Sequence, residues 1–144
     1  MKNFMDDQDF LLSTKTGEEL FHNFAEGMPI VDYHCHISPK EIWEDKRRLM
    51  RANGVDERFI TGDAPAREKF QKWAETLGRC VGNPVFEWSH LELKRYFGYE
   101  GVLNGKTAQE VWDLANAKLA EASFTCRNLI KQSNVTLICT TDDP

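Results

Sequence analysis

His34 and His36 are the side chains of this chain whose types and spacing have the clearest chemical use. They follow a short apolar run, residues 28–31 (MPIV), which is typical of a strand. Because side chains alternate along a strand, both imidazoles project to one face, roughly 6.5–7 Å apart, and both reach one divalent ion. Cys35 projects to the opposite face and is predicted to be a core thiol. The spacing predicts part of a metal site; a chance match of so short a motif is the alternative.

Two predicted buried strands, residues 29–34 and 135–140, would position this pair within a sheet. The sequence Ser38-Pro39-Lys40-Glu41 after the histidines predicts the start of a helix. The pair therefore lies at a strand-to-helix turn, where α/β enzymes place their chemistry.

Helices are predicted between the strands by capping boxes and by apolar stripes. The capping boxes, in which Ser or Thr is followed three residues later by Glu, are residues 16–19, 38–41, 89–92 and 107–110. The stripes are Leu20, Phe21 and Phe24; Phe70, Trp73, Ala74 and Leu77; and Ala108, Val111, Trp112, Ala115 and Leu119. A last helix is predicted over residues 124–132.

The order of elements predicts an α/β fold in which this segment is mostly helical with two short parallel strands. Residues 1–37 would hold an N-terminal helix and the first strand, and residues 38–106 a helical insertion. Residues 107–144 would hold the helices that return to the second strand. Since two parallel strands make no stable sheet alone, we expect the chain to be the first part of a larger protein.

The composition excludes several function classes. The 144 residues carry a net charge of −5 with no basic tract beyond residues 46–48, which argues against a nucleic-acid partner. No apolar stretch approaches a membrane span, and the first seven residues lack the basic-then-apolar order expected of a signal peptide. The four cysteines lack CxxC spacing, which predicts reduced thiols and a cytoplasmic location.

Several longer motifs resemble the uronate (glucuronate) isomerases, a branch of the amidohydrolase superfamily. The resemblance covers essentially the whole chain. The motifs, in the order of that family, are residues 28–36 (MPIVDYHCH), 38–41 (SPKE), 48–55 (RLMRANGV), 60–63 (ITGD), 82–84 (GNP), 90–98 (HLELKRYFG), 103–104 (LN) and 140–144 (TTDDP).

The resemblance implies the N-terminal part of a metal-dependent-hydrolase-like (β/α)₈ TIM barrel with a helical insertion. It implies an enzyme that interconverts D-glucuronate with D-fructuronate and D-galacturonate with D-tagaturonate. His34 and His36 match the metal-binding pair of the family, which implies a divalent metal, with zinc as the expected ion. The full-length enzyme would be a homo-oligomer that acts on small uronates. Its catalytic residues would lie beyond Pro144, so this segment alone is expected to be inactive.

A charged run in the helix after Ser38 coincides with a departure from that family. Residues 44–48 are charged without interruption, although the apolar stripe begun by Ile42 and Trp43 should continue at Lys46. Members of the family carry an additional loop between the positions that match Lys46 and Arg48, with substrate contacts. We therefore expect that this loop is either deleted in the protein or a segment that this sequence does not include.

Other candidate residues have stronger structural interpretations. His22 and His90 are predicted to be structural. Arg51 and Arg95 could hold a uronate carboxylate, but a solvated surface position is the better prediction. Asp142 and Asp143 follow a strand, where barrel enzymes place functional groups, although Asp-Asp-Pro is also ordinary turn chemistry.

Two alternatives to an isomerase follow from the residues. A hydrolytic amidohydrolase would use the metal to activate water. A helical oligomerisation module with two strands would have no catalytic role.

Overall fold

The computed structural model describes residue 9 and residues 11–32 and 39–139, with the helical backbone alone for residues 39–45. In chain order, this described part contains α1 (Lys15–Leu20), a π-helix (Phe21–Ala25), β1 (Ile30–Asp32), α2 (Pro39–Ala52), a 3₁₀ helix (Glu57–Phe59), α3 (Ala66–Leu77), α4 (Pro84–Phe97), α5 (Ala108–Leu119), α6 (Cys126–Gln132) and β2 (Val135–Ile138). The prediction of a mostly helical segment with two short strands is confirmed.

The two strands pair in parallel, as the sequence predicts. Ile30 aligns with Val135 and Asp32 with Ile138, with an irregularity after Ile30. The prediction that the strands are buried is wrong for this chain, because the side chains of Val31 and Leu137 are 55% and 47% exposed. A two-stranded sheet offers too few neighbours to cover its apolar faces. The predicted strand residue His34 lies outside the described residues.

Two predicted helix starts are wrong. Helix α1 is capped by Thr14, whose side chain accepts a hydrogen bond from the Gly17 N–H at 3.1 Å, and not by Thr16. Helix α4 begins at Pro84, where the Asn83 side chain accepts from the Val85 N–H at 2.9 Å. Ser89 is therefore a buried residue inside α4. Asparagine followed by proline supplies a side-chain acceptor and a preset φ, which start the helix earlier.

The predicted starts of α2, α5 and α6 lie within two residues of the observed starts. Helix α2 begins at Pro39 and α5 at Ala108, as predicted. The Thr107 hydroxyl nevertheless makes no cap for α5; it donates to the Val102 carbonyl at 2.7 Å and accepts from the Asn104 N–H at 2.9 Å. Thr107 therefore ties the preceding loop to the helix start.

The chain divides into two compact units, which are Met1–His36 with Thr125–Pro144, and Ile37–Phe124. Among side chains that the structure describes, every buried one lies in the second unit, between Met50 and Val111. The predicted division of the chain into residues 1–37, 38–106 and 107–144 stays a prediction.

The core of the second unit contains the stripe predicted on α3. Trp73, Ala74 and Leu77 are buried there. Ala108 and Val111 of α5 are buried too, but Leu119 at its end is 59% exposed. In the first unit, Leu20 and Phe24 are 56% and 68% exposed, so the stripe of α1 and the π-helix is not buried within this chain.

Helix α2 is continuous through residues 46–48, where the charged run interrupts its apolar stripe. The Lys46 ammonium lies 5.8 Å from the centre of the Trp73 ring. A lysine stem covers apolar surface while its charge faces an aromatic ring, so Lys46 continues the packing of the stripe despite its charge.

Candidate functional site

The ends of β1 and β2 define the place where the predicted metal pair would be held. Because the strands are parallel, their carboxyl ends lie at the same edge of the sheet. The Cys139 N–H donates to the Asp32 carbonyl at 2.9 Å, which extends the pairing to the last described residues of this edge. His34 and His36, and also Asp142 and Asp143, follow these strand ends in sequence. All four lie outside the described residues, so their placement stays a prediction.

The described part of the chain offers no alternative metal centre. Within it, no group of three or more histidine, cysteine or carboxylate side chains is arranged to hold an ion. Two imidazoles fit as ligands of zinc or a related divalent ion, but a zinc site takes at least three protein ligands. His34 and His36 therefore fit part of such a site, which needs a further ligand from elsewhere in the protein.

His90 is structural, as predicted. Its side chain is buried in α4 and both ring nitrogens have partners. Nε2 accepts from the Leu103 N–H at 2.9 Å, so Nδ1 carries the proton and donates to the Phe86 carbonyl at 2.6 Å. Burial lowers the pKa of His90 and favours the neutral ring. This histidine fastens the loop at Leu103 to α4 and has no lone pair left for a metal.

His22 contacts two carboxylates, which the sequence interpretation missed. It lies in the π-helix, with Nδ1 3.1 Å from Glu26 Oε2 and Nε2 3.1 Å from Asp9 Oδ1. The hydrogen bonds to Glu26 and Asp9, in that order of effect, raise the pKa of His22. The spacing of His22 and Glu26 was a usable signal for the first contact, but nothing in the sequence pairs His22 with Asp9.

Arg51 already has a carboxylate partner within the chain. Its Nε and Nη2 donate to the two carboxylate oxygens of Glu57 at 2.9 and 2.6 Å. Hydrogen bonds from Arg51 and then Thr61 lower the pKa of Glu57 to about 2. The predicted surface position is confirmed, and the fork that could have held a uronate carboxylate is occupied. Arg95 lies on the exposed side of α4.

A surface cleft of about 230 Å³ lies within the second unit, between α3 and the loop after α2. Within it, Lys72 and Glu75 pair with each other at 2.8 Å. Its polar lining residues are Asn53, Asp56, Lys72, Glu75, Thr76 and Arg79. None of the predicted site residues lines this cleft. Its neighbouring charges offset one another, so the cleft identifies no substrate.

Comparison with known proteins gives one consistent result. The glucuronate isomerase family model matches residues 1–144. A uronate isomerase from Lachnospira eligens is 64% identical over 160 positions, and one from Endomicrobium trichonymphae is 58% identical. Each match covers 100% of this chain and 34% of the relative. The crystal structure of uronate isomerase from Thermotoga maritima has 35% identity and a TM-score of 0.82, and covers 94% of this chain and 33% of that one.

Two facts about length follow from these matches. The chain spans about a third of the length of the curated relatives that it matches. The alignments extend over 160 positions, 16 more than the 144 residues present here, so the relatives carry positions without a counterpart in this chain. Membership of the family is established because the family model matches the chain from end to end. The chain belongs to the glucuronate isomerase family.

Proposed function

We propose that this chain is the N-terminal part of an aldose–ketose isomerase that interconverts D-glucuronate with D-fructuronate and D-galacturonate with D-tagaturonate. The observation that carries the proposal is the 64% identity to a protein named uronate isomerase, over every residue of this chain. The complete protein would be a cytoplasmic homo-oligomer of the amidohydrolase superfamily, without nucleic-acid partners.

The parallel pair β1 and β2 supports a (β/α)₈ barrel for the complete protein. In such a barrel all strands run in one direction, and the active site lies at their carboxyl ends. His34 and His36 are two and four residues beyond Asp32, the last residue of β1. Asp142 and Asp143 are four and five residues beyond Ile138, the last residue of β2. This chain would thus contribute two neighbouring strand ends to the site.

His34 and His36 would be two ligands of a divalent ion, with zinc as the proposed metal. Such an ion, when bound, polarises carbonyl or hydroxyl oxygens of a sugar acid. Within this chain, the task of β1 is to hold the two imidazoles in one orientation. The base that moves the proton between adjacent carbons, and the third metal ligand, would come from the remaining two thirds of the protein.

We infer that the family loop with substrate contacts is missing between Lys46 and Arg48. The relatives carry 16 further positions, and α2 runs without a break across this point. In a protein without this loop, the rest of the polypeptide would have to enclose the substrate on that side.

The activity is tested with the full-length polypeptide that contains this chain, incubated with D-glucuronate and with D-galacturonate. Product identification by NMR should show the ketose D-fructuronate from the first and D-tagaturonate from the second. Hydrolysis of amide or ester substrates without ketose formation would contradict the proposal and favour a hydrolytic amidohydrolase. Zinc analysis of the same protein should show less bound metal in the His34→Ala variant than in His22→Ala, its matched control.

A further inference from the structure

The imidazole of His22 bridges two carboxylates that come from different parts of the first unit. Glu26 follows the last residue of the π-helix, four residues after His22, and Asp9 precedes α1 by several residues. Each ring nitrogen has one carboxylate oxygen at 3.1 Å. The side chain of His22 is 31% exposed, so solvent reaches the ring.

Both contacts are hydrogen bonds only when the ring is protonated on both nitrogens. A neutral imidazole carries one N–H and one lone pair, whereas an ionised carboxylate only accepts. Loss of one proton therefore turns one of the two hydrogen bonds into a contact between a lone pair and an anion. The bridge is complete in the imidazolium form and is broken on one side in the neutral form.

The backbone on either side of the bridge is unusual. The Leu12 N–H donates to the Asp9 carbonyl at 3.0 Å and closes a turn in which Leu11 has φ = 68°. This left-handed conformation favours glycine, so the turn requires contacts that hold it. At the other end, the Glu26 N–H donates to the Phe21 carbonyl at 2.9 Å, the wide hydrogen bond of a π-helix. Such single-turn π-helices are rare.

We propose that Asp9, His22 and Glu26 form a pH-sensitive clasp that fastens the segment before α1 to the π-helix. The clasp closes when His22 is doubly protonated and loosens when it is neutral. The Phe21 ring contacts His22 edge-on, with ring centres 5.3 Å apart. Glu18 and Glu19 lie one helical turn before His22 and add negative charge to the same segment.

The direction of the pH dependence follows from the proton count. The carboxylates raise the pKa of His22 above its ordinary 6.5, so the folded state binds the proton more tightly than the unfolded chain does. The contribution of the clasp is complete below pH 6.5 and is lost as the pH rises through the raised pKa.

Histidine C2 hydrogen–deuterium exchange with mass spectrometry measures the titration of His22 separately from the other three histidines. In the 144-residue chain, we expect a midpoint above 6.5 that falls in Asp9→Asn and in Glu26→Gln, and falls furthest in the double variant. Glu19→Gln is the matched control, because it removes a nearby exposed carboxylate that makes no contact with the ring; its midpoint should stay near that of the unaltered chain.

Amide exchange at Leu12 provides a second readout, corrected for the intrinsic pH dependence of exchange. Its protection should be several-fold higher at pH 5.5 than at pH 8 in the unaltered chain, and equal at the two pH values in Asp9→Asn. Circular dichroism must show the same helix content in each variant. A His22 midpoint at or below 6.5, or one that Asp9→Asn leaves unchanged, would overturn the proposal, as would Leu12 protection that does not depend on pH.

Discussion

Arg51 and Glu57 form a pair whose contribution to folding depends on pH. The pKa of Glu57 is lowered to about 2, so the folded state favours the ionised carboxylate. The stabilisation is present above the ordinary pKa of the carboxyl group and is lost as the pH falls through the lowered pKa. We therefore expect urea unfolding midpoints of the unaltered chain and Glu57→Gln to converge between pH 4.5 and pH 2. A difference that is constant over this range would contradict the assignment.

Removal of the His90 side chain should destabilise the chain more than removal of the His22 side chain does. His90→Ala leaves the buried Leu103 N–H without its acceptor and leaves a cavity, at a cost of about 2–4 kcal/mol in the free energy of unfolding. His22→Ala, at an exposed position, should cost less than His90→Ala does. Because burial lowers the pKa of His90, its stabilising contribution should decrease as the pH drops below 6.5. Denaturant unfolding at pH 8 and pH 5.5 checks both expectations; equal costs for the two variants would refute them.

Individual residue roles could be predicted only where local sequence decides them. A solvated surface position could be predicted for Arg51, but its paired hydrogen bonds to Glu57 depend on the loop at residues 53–56, which sets the distance between the two side chains. The contact of His22 with Asp9 spans thirteen residues and has no local signature. The metal role of His34 and His36 came from spacing and resemblance, and its geometry stays a prediction.

Helix α4 shows how a strong start signal takes precedence over a weaker one. Asn83 caps the helix, so Asn83→Ala should lower the free energy of unfolding by about 1 kcal/mol. Glu92→Ala removes the carboxylate that the predicted capping box at Ser89 would have required. Glu92 lies in the middle of α4, so this substitution should change the free energy of unfolding by no more than about 0.5 kcal/mol. Chemical denaturation distinguishes the two, and a larger loss in Glu92→Ala would restore the helix start at Ser89.

The order of the α-helices and the two strands could be predicted because periodicity and turn residues agree over most of the chain. Strand burial within this chain could not be predicted. An apolar strand has the same sequence pattern whether the residues that cover it lie in this chain or in another part of the protein. The exposure of the apolar residues of α1 and the π-helix could not be predicted for the same reason. The π-helix could not be predicted either, because the pattern of side chains does not decide which carbonyl each backbone N–H bonds. The hydrogen bond from the Thr107 hydroxyl to the loop before α5 was open for the same reason.

The two units should differ in local stability. The described buried side chains all belong to the second unit, whereas α1 in the first unit has none. In the 144-residue chain, amides of α3 should exchange at least about tenfold more slowly than those of α1, after correction for intrinsic rates. Hydrogen–deuterium exchange with peptide-level mass spectrometry makes this comparison. Equal protection in the two helices would show that the first unit gains stability from contacts other than burial.

At the scale of the whole molecule, the family could be identified from the sequence because long motifs persist in order along the chain. A strand pair and a set of helices do not identify a reaction by themselves. The proposed isomerase also depends on residues outside this chain, since two histidines complete neither a zinc site nor a proton-transfer site.

The most direct test of the central claim is the kcat/KM for D-glucuronate of the full-length protein with alanine at His34, at His36 and at His22. Loss of a metal ligand should lower kcat/KM by at least about 100-fold in His34→Ala and His36→Ala. His22→Ala, measured at pH 8, should stay within about twofold of the unaltered protein. Values within about threefold of the unaltered protein in both His34→Ala and His36→Ala would contradict the claim that this strand end serves the isomerase.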